Sequence, residues 1–145
     1  MSFLPLVSHD SPDSIVAWRT DGPVTLCQFL AEVHRLAGLF PAGKHLLNMC
    51  GDRYHFSVGL AAAILTGKVS LLPSTHTPGV VRQIKDFAPD VFCLTDSDSC
   101  AVDLPQLRYP AMEAVGGADA CSIPQIDGRQ RIAVVFTSGS TGNPL

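Results

Sequence analysis

The sequence predicts an α/β fold: a layered, largely parallel sheet flanked by helices and formed by one domain over residues 1–145. Three observations predict it. Short apolar runs alternate at close spacing with stretches whose apolar residues recur at helical intervals. The short runs are continuously apolar rather than alternating, as in strands covered on both faces. Each helical stretch also follows a residue suited to capping a helix, Thr25, Asp52 or Thr77.

The elements follow in order. Residues 14–19 (SIVAWR) read as a short strand and TDGP as the turn after it. Thr25 opens the first helix, and Gln28 three residues on completes a capping box. Leu26, Phe29, Leu30, Val33 and Leu36 or Ala37 then form one apolar stripe. FPAG ends that helix, and HLLNMC (45–50) reads as a buried strand. Asp52 caps the second helix, which places Tyr54, Val58, Ala61 and Leu65 on one face and Gly67 at a left-handed exit. Its many small apolar residues suit a helix buried on more than one side. VSLLP (69–73) is the next strand. Thr77-Pro78 starts the third helix, with Val80, Val81, Ile84 and Phe87 facing inward. Pro89 stops it before the strand DVFCLTD (90–96). Residues 97–130 are broken by Pro105, Pro110, Gly116, Gly117 and Pro124, and leave room for one short helix or strand. RIAVVFT (131–137) is the final strand.

Composition narrows the function classes. Apolar residues make up 46% and charged residues 16%, which fits a buried interior rather than a disordered chain. A net charge of −3 with no basic run gives no reason to expect nucleic acid or an anionic membrane. The longest apolar stretch falls well short of the ~20 residues that span a bilayer, and MSFLPLVSHD lacks the features of a signal peptide. The five cysteines include no C-x-x-C pair, so reduced thiols and a soluble, cytoplasmic protein are expected. His34, His45, His55 and His76 lack metal-site spacing, and TDSDSCAVD (95–103) lacks the glycine and closing glutamate of a calcium loop. No metal site is therefore expected, and Trp18 is expected in the core or against a subunit. Cys50, beside a helix start, is read as a buried structural thiol rather than an activated one.

The most informative stretch is VVFTSGSTGNPL, at 134–145. An apolar strand enters a run of small hydroxyl and glycine residues. Glycines allow close backbone approach to a ligand, and successive N–H groups can form an anion-binding nest with the hydroxyls as added donors. Composition alone favours a plain turn, because Ser/Gly/Thr turns are common. No Walker loop is formed, because the sixth position from Gly139 is Pro144, and no G-x-G-x-x-G follows a strand.

The order of these residues resembles the phosphate-loop signature T-S-G-[ST]-T-G-x-P-K of the adenylate-forming superfamily. That superfamily includes acyl-CoA synthetases, carrier-protein ligases, nonribosomal adenylation domains and luciferases. Thr137, Ser138, Gly139, Ser140, Thr141, Gly142 and Pro144 match in register. PVTLCQFLAEVHRLAGLF (23–40) is similar to the family's early (T/S)-x-x-E-L helix, with Gln28 in place of glutamate. AAAILTGKVSLLP (61–73) is similar to its L-x-A-G-x-x-x-V-P segment, with Thr66 for alanine and one extra residue before Pro73.

The resemblance implies a ligase that activates a carboxylic acid with ATP and transfers it to the thiol of CoA or of an acyl carrier protein. ATP and Mg²⁺ are the implied cofactors. Thr137, Ser138, Ser140 and Thr141 would contact the β- and γ-phosphates, and Gly139 and Gly142 would let the backbone close on them. Two segments look most like bacterial acyl- or aryl-acid AMP-ligases: DRYHFSVGLAAAILTGKVSLLP and VVFTSGSTGNP. Leu145 stands where the signature has lysine. The family's adenine, acyl and magnesium contacts and its catalytic lysine come later than residue 145, so the chain is expected to be an inactive partial domain with no catalytic residue of its own. The alternative is a non-catalytic binding or scaffold module of the same fold.

Overall fold

The computed structural model describes residues 3–8, 11, 13–20, 22–98, 100–110 and 122–136. Along the chain these form β1 (Phe3–Pro5), β2 (Ile15–Arg19), β3 (Gly22–Thr25), α1 (Leu26–Ala37), β4 (His45–Asn48), α2 (Arg53–Leu65), β5 (Val69–Pro73), α3 (Pro78–Phe87), β6 (Phe92–Thr95), β7 (Gln106–Arg108), β8 (Gln125–Asp127) and β9 (Ala133–Phe136).

Five of the strands form a sheet in the order β7-β6-β4-β5-β9, every neighbouring pair parallel. Successive strand residues point to opposite faces, so one strand feeds two cores. Leu46, Phe92 and Leu94 pack with Leu30, Val33, Val58 and Ala62 of α1 and α2. Leu47 and Cys93 pack with Val81 and Ile84 of α3 and with Val134 and Phe136. Helices therefore cover both faces, as parallel strands without alternating polarity require. The β4–α2–β5 and β5–α3–β6 crossovers run in opposite directions across the sheet, which puts their helices on opposite faces.

All three helix starts are built as their sequences imply. Thr25 and Gln28 form the reciprocal capping box, Asp52 accepts from the backbone N–H groups of Tyr54 and His55, and Thr77 accepts from that of Val80 ahead of Pro78. Gly67 has φ +73°, the left-handed exit expected after α2. The helix also needs Gly59 at its centre. A Cβ there would stand 2.6 Å from Leu94 Cδ2 and 2.8 Å from Asn48 Nδ2.

Several expectations are corrected. Gly22 and Pro23, read as the second half of the turn TDGP, instead open β3, which runs on to Thr25 and pairs antiparallel with β2. The pairing satisfies backbone groups that propensity alone would leave in a loop. The irregular 97–130 segment holds two described strands rather than one short element: β7 joins the main sheet and β8 pairs with the leader strand β1. Phe87 is 38% exposed rather than inward, its ring edge-on to those of His45 and Phe136. Trp18 lies on the two-stranded β2–β3 hairpin and is 75% exposed, so it is not a core residue. Cys27 is disulfide-bonded, against the expectation of reduced thiols, while Cys50, Cys93 and Cys100 are free. Sequence spacing carries no signal for a bridge that only folding creates. No helix of the described residues is long and apolar enough to cross a membrane.

Candidate functional site

Because the sheet is parallel, Asn48, Pro73, Thr95, Arg108 and Phe136 all end at one edge. The chain leaves β4 toward β5 and later returns to β6 on the other side of β4. That reversal opens a crevice beyond the carboxyl ends of β4 and β6, where ligands of open α/β sheets generally bind. The sequence-predicted site residues Thr137, Ser138, Gly139, Ser140, Thr141 and Gly142 lie outside the described residues. Their last described neighbour, Phe136, is buried, registers with Pro73 of β5 and belongs to this edge.

The crevice holds a polar network that the sequence did not reveal. Asp96, one residue past β6, accepts from the backbone N–H groups of Gly51 at 2.9 Å and Asp52 at 3.0 Å, and its other contact is His55 Nδ1 at 3.0 Å. Asp52 caps α2 through Tyr54 N–H at 2.8 Å and His55 N–H at 3.1 Å, and also takes both arms of the Arg19 guanidinium at 3.0 and 3.2 Å. Arg19 in turn lies 4.6 Å from the centre of the Tyr54 ring. The His55 ring stacks on Tyr109 at 4.1 Å, and Tyr109 Oη donates to Glu32 at 2.8 Å. Seven side chains thus tie β2, α1, α2 and the ends of β6 and β7 together.

The electrostatics follow from these bonds. The Arg19 fork holds the Asp52 carboxyl down to about 2, helped by the N–H groups of His55 and Tyr54 against a smaller effect of burial. Burial pushes Asp96 up, but the Gly51 and Asp52 N–H groups and the His55 ring outweigh it and leave its pKa lowered. Burial, then the Asp96 and Asp52 charges, push the Cys50 thiol up to about 12. Cys50 is accordingly held as the protonated thiol. Burial and the nearby Glu32 carboxylate raise both Tyr54 and Tyr109.

The N–H groups of Gly51 and Asp52, just ahead of α2, are bonded to the Asp96 carboxylate, and those of Tyr54 and His55 in its first turn to the Asp52 carboxylate. Among the described residues no group of three or more His, Cys, Asp or Glu could hold a metal ion.

The opposite edge carries a cavity of about 320 Å³ lined by Lys44, His45, Gly67, Val69, Gln130 and Arg131. It lies at the C-terminus of α2, where Gln130 Nε2 donates to Ile64 O at 2.8 Å. Basic residues there complement the negative end of the helix dipole.

No family model and no curated protein matches the sequence. Solved structures do match the fold. The chain is similar to o-succinylbenzoate coenzyme A synthetase (MenE) from Bacillus subtilis in complex with AMP, with TM-score 0.69 and 19% identity over 99% of this chain and 41% of that one. It is also similar to VinN in complex with 3-methylaspartate, with TM-score 0.62 and 17% identity over 92% of this chain and 42% of that one. The N-terminal subdomain of Klebsiella oxytoca NpsA in complex with 3-hydroxybenzoyl-AMSN matches with TM-score 0.58 and 16% identity over 92% of this chain and 36% of that one. The fold is that of the N-terminal portion of adenylate-forming enzymes. The chain spans about two fifths of the length of the synthetase it matches. The same synthetase also forms a complex with ATP and magnesium ion.

Proposed function

We propose that residues 1–145 are a single partial domain, the N-terminal part of an AMP-dependent ligase that activates a carboxylic acid with ATP. The observation that carries this reading is the placement of one motif. TSGSTGNP follows β9 directly, and β9 ends at the carboxyl edge of a parallel sheet whose fold is shared with adenylate-forming enzymes.

In this reading the hydroxyls of Thr137, Ser138, Ser140 and Thr141 donate to the β- and γ-phosphate oxygens of ATP. The backbone at Gly139 and Gly142 approaches closely enough to add N–H donors. Their work is positioning and charge stabilisation. A substrate carboxylate oxygen bonds to the α-phosphorus, the bond from that phosphorus to the bridging oxygen breaks, and pyrophosphate leaves. In the second step the thiol of CoA or of an acyl carrier protein attacks the acyl carbon, and AMP departs. The described residues offer no ligand cluster for Mg²⁺, so no step is assigned to the metal through them. The Asp52–Asp96 network holds the start of α2 against the end of β6.

Leu145, at the lysine position of the signature, favours a second reading in which the module keeps the packing and has lost the chemistry. Acid-dependent exchange of labelled pyrophosphate into ATP separates the two. The ligase reading requires exchange by the complete protein with at least one member of a broad acid panel, and loss of that exchange in Thr141→Val. Absence of exchange across the panel establishes the scaffold reading. The 145-residue chain alone should bind ATP only weakly, and micromolar affinity by calorimetry would contradict that expectation.

A further inference from the structure

We propose that Cys93 and Cys100 are a dithiol–disulfide couple, a modification site at which a two-electron thiol oxidant joins the two sulfurs. Their Sγ atoms lie 3.9 Å apart and neither is in a disulfide. Closing to a bond of about 2.05 Å requires roughly 2 Å of approach, within the reach of side-chain rotation.

The encounter is held by the backbone on both sides. Cys93 sits within β6, donates its N–H to Pro105 O at 2.7 Å and registers with Gln106 of β7. The Gln106 side chain reaches back, its Nε2 donating to Cys100 O at 3.2 Å and Val102 O at 2.9 Å. One residue of β7 thereby fixes both cysteines. The other free described cysteine, Cys50, belongs to the cluster under α1 and α2, whereas Cys93 and Cys100 pack together on the α3 side of the sheet.

Access divides the two roles. Cys93 is 0% exposed and Cys100 is partly exposed, so an oxidant meets Cys100 first. With an azodicarboxamide, the Cys100 thiolate bonds to one nitrogen of the N=N group and a proton goes to the other. Cys93 then loses its proton and attacks the Cys100 sulfur, the S–S bond forms and the S–N bond breaks. The released nitrogen takes the proton. Two thiols have lost two electrons, and the azo compound has become a hydrazine. Burial and the neighbouring Cys100 sulfur raise the Cys93 thiol above its ordinary range, so Cys93 is not the sulfur that first meets the oxidant, and the share of the rise due to Cys100 is lost once that sulfur is bonded to nitrogen. The closed loop would include Asp96, the residue that fixes the start of α2.

The full chain is treated with diamide as the probe, alkylated, and digested without reduction by a protease that cuts before aspartate. Cleavage at Asp96 and Asp98 separates the two cysteines unless they are bridged. The expected result is a Cys93–Cys100 cross-linked pair of peptides. It should form about tenfold or more faster in the folded chain than in concentrated urea, because the fold supplies the proximity. Cys50→Ser should retain the cross-link, and Cys100→Ser should abolish it and leave Cys93 unmodified in the folded chain. Cys100 carrying only a mixed adduct, or a cross-link formed no faster folded than unfolded, would overturn the proposal.

Discussion

Asp90 and Asp96 stand just beyond the two ends of β6, and each clamps the chain at the matching end of β4. Asp90 accepts from Lys44 N–H at 2.7 Å and contacts the His45 ring at 2.8 Å. Asp96 accepts from Gly51 and Asp52 N–H groups and contacts the His55 ring. The chemistry is the same: one carboxylate, backbone donors and an imidazole. The surroundings differ, since the Asp90 side chain is 42% exposed and that of Asp96 is 15% exposed. Water can replace Asp90, whereas Asp96 sits in a network shared with Arg19, Tyr109 and Glu32. The contrast teaches that one edge of the sheet is merely closed, while the other is held rigid where a ligand-holding segment follows.

The largest expected effect tests that contrast directly. Asp96→Ala should cost about 3 kcal/mol, because it strands two backbone N–H groups, while Asp90→Ala should cost about 1 kcal/mol. Urea denaturation midpoints at neutral pH measure both, and equal losses would break the comparison. Next comes Gly59→Ala, expected to cost about 2 kcal/mol by pushing the Asn48 amide off its 3.0 Å bond to Phe56 O. Thermal unfolding of that variant would show it, and an unchanged midpoint would mean that the wall of the crevice yields. Tyr109→Phe keeps the stack on His55 and loses the bond to Glu32, for about 1 kcal/mol.

Acid sharpens the comparison further. Asp52, Asp90 and Asp96 have folded pKa values below their ordinary ones, so the unfolded chain binds protons more readily. The stability they contribute is whole above the unfolded carboxyl pKa of about 4 and drains away as pH falls through the folded values. For Asp52 the loss ends near pH 2. Denaturation midpoints measured across that window should fall less steeply in Arg19→Ala, because the Arg19 fork is the largest cause of the Asp52 shift. The smallest effect belongs to the cavity at the opposite edge. Arg131→Ala should change stability by no more than about 0.5 kcal/mol, as at an ordinary surface site.

What was legible in the sequence was local. Thr25 with Gln28, Asp52, and Thr77 with Pro78 announce helix starts because a cap is written within four residues. VSLLP reads as a strand because Val69, Leu71 and Leu72 surround a single small polar residue, Ser70. The motif at 137–144 is legible by resemblance, since its order is specific where its composition is not. The crevice network was not legible because its partners are distant in sequence: Arg19 and Asp52 are separated by 33 positions, Asp96 and His55 by 41, and Tyr109 and Glu32 by 77. Asp96 in particular sits in an acidic run that reads as a solvated turn, and only the end of β6 aims it at α2. The β2–β3 hairpin was missed for a similar reason, its first glycine and proline reading locally as a turn.

Lys68 gives the fold an unplanned chemical asymmetry. Its ammonium is buried, donating to Pro41 O at 2.8 Å and Gly43 O at 2.6 Å, where it serves as a backbone cap. The chain has three lysines, and the other two, Lys44 and Lys85, present their amines nearer to water. An activated ester offered to the folded chain therefore meets two lysine amines rather than three, and the third becomes a reporter that acylates only when the strand edge opens.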